Sequence, residues 1–207
     1  MMKRMVVFLW ITALCLPLWA GIADDGLIED GEYTSRHIFL NDQDLLVTGG
    51  GAYSIEANGT GNIEVRKTSP LSNSGGITTL GLGDNYTLTY SGGHTGALYF
   101  YENSSGIISG GQINWIVSMQ RVFDLPHITI ICQPGWEWIY SEDTGMEDEI
   151  VGITGLWDDD YDTPFLINFH NDDVYDPVYM NINVIPEPAT LILLGVGGLL
   201  LRKQKRH

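Results

Sequence analysis

The sequence predicts an all-β chain: a short β-solenoid-like stack of repeats with a β-rich C-terminal cap, flanked by an N-terminal signal helix and a C-terminal hydrophobic helix. A β-sandwich is the alternative. Three observations predict this class. Glycine is abundant, 25 against 8 prolines, and short alternating runs such as Ile63-Glu64-Val65, Leu98-Tyr99-Phe100 and Leu166-Ile167-Asn168-Phe169 lie between clusters of Gly, Asn, Asp and Ser. Away from the two ends, no stretch keeps a 3.6-residue apolar period for three turns. An internal repeat also runs from Leu45 to Ser118.

Residues 1–23 read as a signal peptide. Lys3 and Arg4 form the positive region, Met5 to Leu18 the apolar core, and Gly21-Ile22-Ala23 places small residues at minus three and minus one, so signal peptidase is expected to cut after Ala23. Ala20 is the second choice. Pro17 near the end of the core argues against a retained helix.

Residues 24–121 form a Gly- and Asn-rich repeat region. Small-Gly-Gly steps occur at Thr48-Gly49-Gly50, Ser74-Gly75-Gly76, Ser91-Gly92-Gly93 and Ser109-Gly110-Gly111, the last three 17 and 18 residues apart. At an offset of 18, Leu80 aligns with Leu98, Leu82 with Phe100, Asp84 with Glu102, Asn85 with Asn103 and Tyr90 with Ile108. So short a unit cannot bury its apolar positions alone, and neighbouring copies must stack. Glycine supplies one corner through positive φ, and Asn at the other bend is expected to adopt the left-handed conformation and bond its own backbone. Leu80, Leu82, Leu98, Phe100 and Ile116 are expected to point inward, with Tyr99 and Tyr101 outside. A meander of hairpins closing a sandwich is the competing topology.

Residues 122–183 are acidic and aromatic-rich, with Trp136, Trp138, Trp157, Tyr175 and Tyr179 separated by acidic loops. They are read as a cap over the last repeat, since an uncovered rung exposes strand edges. Asp158, Asp160 and Asp162 are the oxygen-rich positions that calcium would favour, but they lack the Gly and distal Glu of the EF-hand pattern. A solvated loop with no cofactor is the reading preferred. Trp136, Trp138 and Trp157 could stack on sugar rings, yet Trp136 and Trp138 alternate around Glu137 as strand residues do, which favours packing.

Residues 184–207 carry Pro186-Glu187-Pro188, an uncharged run from Ala189 to Leu201, and the cations Arg202, Lys203, Lys205 and Arg206. Such cations halt a segment in the bilayer and stay cytoplasmic. Thirteen helical residues reach roughly 20 Å against a hydrocarbon core of about 30 Å, so the span suits temporary rather than permanent anchoring. Val184-Ile185-Pro186-Glu187-Pro188-Ala189-Thr190-Leu191, then Leu193-Leu194-Gly195 and the basic tail, resembles the PEP-CTERM sorting signal. The resemblance covers about a tenth of the chain. It implies recognition by exosortase, a membrane-embedded transpeptidase of Gram-negative bacteria, with Pro186, Glu187 and Pro188 as substrate residues and delivery to the cell surface or its extracellular polysaccharide.

The full chain has a formal net charge of −16, and its distribution is uneven. Between Asp24 and Asp176 stand 25 carboxylates against four cations, Arg36, Arg66, Lys67 and Arg121, leaving a net charge of −21. Nucleic acid is excluded as a partner, because phosphate binding needs clustered cations. Of two cysteines, Cys15 departs with the signal peptide, so Cys132 has no intramolecular partner and reads as a small buried side chain. His37, His94, His127 and His170 are scattered, no Gly-x-Ser-x-Gly elbow occurs, and no catalytic residue is assigned. The sequons at Asn58, Asn85 and Asn103 fall at predicted bends, where turn geometry explains them.

The expectation is an exported, exosortase-processed, non-enzymatic protein of the cell envelope, cell surface or extracellular matrix, with a structural or binding role. A carbohydrate-binding module or carbohydrate-active enzyme acting on exopolysaccharide is the alternative.

Overall fold

The structure, a computed structural model, describes residues 26–69, 76–119, 126–141, 149–159, 161–171 and 177–186. These residues form two sheets. The first runs β1 (Leu27–Ile28), β3 (Leu45–Val47), β5 (Thr60–Val65), β7 (Asn85–Tyr90), β9 (Ser105–Ile108), β11 (His127–Cys132) and β15 (Ile182–Pro186), and every pair in it is parallel. The second runs β2 (Tyr33–Asn41), β4 (Gly51–Asn58), β6 (Gly76–Leu82), β8 (His94–Tyr101) and β10 (Gln112–Met119), also in parallel. It continues through β14 (Pro164–Phe169), β13 (Ile150–Leu156) and β12 (Glu137–Tyr140), whose last two pairings are antiparallel.

From β1 to β11 consecutive strands alternate between sheets, so each circuit of the chain adds one strand to each sheet. Hairpins cannot produce this order, because a hairpin pairs consecutive strands antiparallel. The inner faces enclose one continuous apolar cluster running from Ile28 to Val178. The positions aligned by the repeat become lateral neighbours: Leu80 faces Leu98, Leu82 faces Phe100, and Tyr90 faces Ile108. Leu80, Leu82, Leu98, Phe100 and Ile116 are fully buried. Tyr99 and Tyr101 lie on the outer face, with rings stacked 6.1 Å apart.

The corners follow the glycines on one side. The second glycine of each Small-Gly-Gly step has positive φ: 58° at Gly50, 77° at Gly76, 97° at Gly93 and 82° at Gly111. On the other side the expectation is corrected, because the left-handed residue is the acid and not the Asn. Asp42, Asp84 and Glu102 have φ of 54°, 51° and 55°. The two aspartates gain a bond across the stack that offsets the strain: Asp42 Oδ1 accepts from Thr60 N at 2.7 Å, and Asp84 Oδ2 accepts from Gly59 N at 2.6 Å. The asparagine amides reach the next turn, Asn103 Nδ2 donating to Asn85 Oδ1 at 2.8 Å.

Strict alternation also fails at one place in every strand of the second sheet from β4 to β10. The buried positions that recur in register are Ala52, Ile55 and Ala57, then Ile77, Leu80 and Leu82, then Thr95, Leu98 and Phe100, then Ile113, Ile116 and Ser118, with Ser54 and Val117 buried outside this pattern. Each strand thus steps by three before it steps by two. Between the first two buried positions of each strand two consecutive residues are left off the apolar cluster, among them Gly96-Ala97 and Asn114-Trp115.

One internal polar anchor is measurable. Tyr86 is fully buried, and its hydroxyl donates to Gln43 O at 3.0 Å while accepting from Gln43 N at 2.9 Å. Tyr86→Phe leaves both backbone groups to find water, and is expected to lower unfolding stability by about 1–2 kcal/mol in a urea titration at unchanged m-value.

Beyond β11 the chain uses aromatic packing. Trp157 is 1 % exposed, stacks on Phe165 at 4.1 Å, and donates from Nε1 to Gly111 O at 2.8 Å, tying this region to a glycine corner of the stack. Trp136 and Trp138 are half-buried, edge to face at 5.1 Å, and Trp138 meets Phe169 at 6.1 Å. A 3-10 turn, Val178–Asn181, then returns the chain to the first sheet, anchored by Asn181 Nδ2 donating to Ser118 Oγ at 2.6 Å.

Candidate functional site

The C-terminal strand carries the start of the sorting segment. β15 lies parallel to β11, with Ile128 facing Ile182, Ile130 facing Val184 and Cys132 facing Pro186. It is the edge strand of its sheet, which suits a proline that has no N–H to donate. Val184 and Ile185 are therefore sheet residues, and Pro186 is the last residue of the strand. Glu187, Pro188, the run from Ala189 to Leu201, the cations Arg202, Lys203, Lys205 and Arg206, and Ala23 with the signal segment lie outside the described residues. Among the described residues no helix is long and apolar enough to cross a membrane.

The acidic loop before β14 has a local use for its carboxylates. Asp159 Oδ1 accepts from Thr163 N at 2.9 Å and from Tyr161 N at 3.1 Å, and a hydrogen bond from the Thr163 side chain, helped by these backbone bonds, holds the carboxyl below its ordinary pKa. Asp162, at φ 49°, accepts at Oδ1 from Gln133 Nε2. Asp158 is exposed, and Asp160 lies outside the described residues. Among the described residues no group of three or more His, Cys, Asp or Glu is placed to hold a metal ion. Millimolar calcium is expected to leave the thermal midpoint unchanged; a rise that grows with calcium concentration would establish a site.

Cys132 is buried, and burial pushes its thiol up to about 11, the opposite of what a nucleophile needs. His37 sits among Phe39 and Tyr53, ring centroids 6.0 and 5.5 Å away, on the outer face of β2 and β4. Burial lowers the pKa of His94, against a hydrogen bond to the Asn114 side chain that raises it.

Two clefts open on the outer face of the second sheet. One, of about 410 Å³, lies over Gly81, where a missing side chain separates Glu56 from Tyr101, with Asp84 and Glu102 at its margin. The other, of about 920 Å³, lies where the parallel stack meets the antiparallel strands, across β10 and β14. In its lining Trp115 is 46 % exposed and Leu166 is 55 % exposed. The residues named from sequence as sugar-stacking candidates, Trp136, Trp138 and Trp157, lie in or packed against the core, whereas Trp115, which sequence reasoning passed over, is the exposed indole among the described residues. The signal that could have found it is its place in the repeat: at an offset of 18 it aligns with Ala97 in β8, a position outside the apolar core.

Residues 184–206 match the PEP-CTERM protein-sorting motif. The chain therefore carries a PEP-CTERM sorting domain at its C-terminal end, a motif that indicates an exported, envelope-associated protein sorted by exosortase. No curated protein and no solved structure matches it.

Proposed function

We propose that this protein is a non-enzymatic structural or binding component of the outer cell surface or extracellular matrix of a Gram-negative-type bacterium. Signal peptidase releases its N-terminus after Ala23, and exosortase acts at Pro186-Glu187-Pro188 while Arg202, Lys203, Lys205 and Arg206 hold the tail in the inner membrane. The passenger is read as a short β-solenoid of residues 24–121 capped by residues 122–183, a reading supported by the alternation of consecutive strands between two parallel sheets. The observation that carries the proposal is the sorting motif beginning at the last strand of that body, with no linker between them. A body this acidic stays soluble in a crowded exterior and repels other polyanions. Envelope fractionation with protease shaving of intact host cells tests it: the protein is expected in the surface-accessible fraction. Recovery from the cytosol, protected from protease, would refute it.

A further inference from the structure

We propose that the cleft over β10 and β14 is a binding site for a neutral oligosaccharide chain, with Trp115 as its stacking platform; this rests on the reading of the protein as an exported binding component.

The cleft is uncharged in a strongly acidic body. The body carries 25 carboxylates against four cations, yet among the described residues the cleft lining, which includes Gln112, Asn114, Trp115, Thr154, Thr163 and Asn168, contains no ionisable side chain. An anionic polymer meets no cation there and a repulsive field around it, and a cationic one finds no carboxylate in the cleft. What remains is a ligand recognised by one flat apolar surface and by uncharged donors and acceptors.

The indole of Trp115 is left uncovered. In register with Trp115 lie Ala97 on one side and Asn168 on the other, followed by Thr79 and Gly152. These small neighbours cannot cover the ring, and the three-residue step of β10 leaves it outside the apolar core. A buried indole usually contributes packing, whereas a half-exposed one flanked by amides offers a face to the C–H surface of a pyranose.

The polar groups of the cleft are held in place. Asn168 Nδ2 donates to Asn114 O at 3.1 Å, Asn114 bonds His94, and Thr154 Oγ1 donates to Phe165 O at 2.8 Å. Pre-positioned amides and hydroxyls lose little entropy on meeting sugar hydroxyls. A peptide strand is a poor occupant, because β10 is already bonded on both edges, to β8 and β14, and offers no free backbone for strand addition.

Affinity gel electrophoresis of the processed protein purified from the host envelope, in gels containing dextran, laminarin or hydroxyethylcellulose, with alginate as the acidic control, tests the site. The wild type is expected to be retarded by at least one neutral glucan and not by alginate. Trp115→Ala is expected to lose at least tenfold in affinity, and Tyr99→Ala, in the separate aromatic patch, to match the wild type. Trp115→Phe, which keeps a ring, should recover part of the affinity and shows that the loss is one of stacking. Both Trp115 variants should melt within a few degrees of the wild type, since the residue is outside the core. Retardation unaffected by Trp115→Ala would overturn the site while leaving a binding role; retardation by alginate alone, or by none of the four polymers, would overturn the neutral-glycan assignment while leaving export and sorting untouched.

Discussion

Gly51→Ala is expected to cost more than about 3 kcal/mol, a large share of the roughly 5–15 kcal/mol that holds a domain of this size together. A Cβ placed on Gly51 would sit 2.0 Å from Gly76 O and 2.7 Å from Gly76 C and N. These are backbone atoms of the next turn, so no side chain can rotate away, and relief requires β4 and β6 to separate at their first paired residues. In a stack where each turn contacts only its neighbours, such a gap uncouples β2 and β4 from everything beyond them. Gly31→Ala is the control. Gly31 has φ 88° and open space around it, so alanine there adds only the backbone penalty of about 1–2 kcal/mol. Urea unfolding followed by circular dichroism should show a much larger midpoint loss for Gly51→Ala; equal losses would mean that close stacking of turns is not what the glycine serves.

Replacement of Pro186, Glu187 and Pro188 by alanine together is expected to abolish C-terminal processing without unfolding the body. Pro186 ends an edge strand and is itself exposed, so its loss removes no buried contact, and surface changes of this kind stay within about 0.5 kcal/mol. The variant should therefore melt with the wild type yet accumulate in the membrane fraction, heavier by the uncut tail. A variant processed and located like the wild type would remove the tripeptide from the recognition step. Because Val184 and Ile185 belong to β15, shortening the segment from that side would confuse a folding defect with a sorting defect; the tripeptide substitution does not.

The parts of the fold legible in the sequence were those that repeat in chemistry. Leu80 with Leu98 and Leu82 with Phe100 are apolar pairs at a fixed offset, and stacking is the only way a short unit can bury them, so their register could be read directly. The glycine corners were legible for a similar reason, since positive φ is cheap for Gly alone. The opposite corner was misassigned because Asp84 and Asn85 are adjacent and both tolerate the left-handed region. What decides between them is the bond that Asp84 accepts from Gly59 N, 25 positions away, which no local preference encodes. The three-residue step in β4 to β10 was hidden for another reason: Thr78-Thr79 and Gly96-Ala97 carry little hydropathy contrast, so alternation looked intact. That step is what leaves Trp115 outside, and an indole in a strand otherwise reads as core. The sorting tail was the most legible site, because a bilayer imposes length and charge rules on sequence itself. Its first residues were not legible as a strand, since Ile182 to Pro186 finds its partner in β11, about 54 residues earlier.

The most direct measurement is the intact mass of the protein isolated from its host's envelope. The expected species lacks residues 1–23 and the hydrophobic tail with its four cations, and so falls well below the 22.9 kDa of the full chain. A product of full mass, with Arg202 to His207 still attached, would contradict export and exosortase processing together.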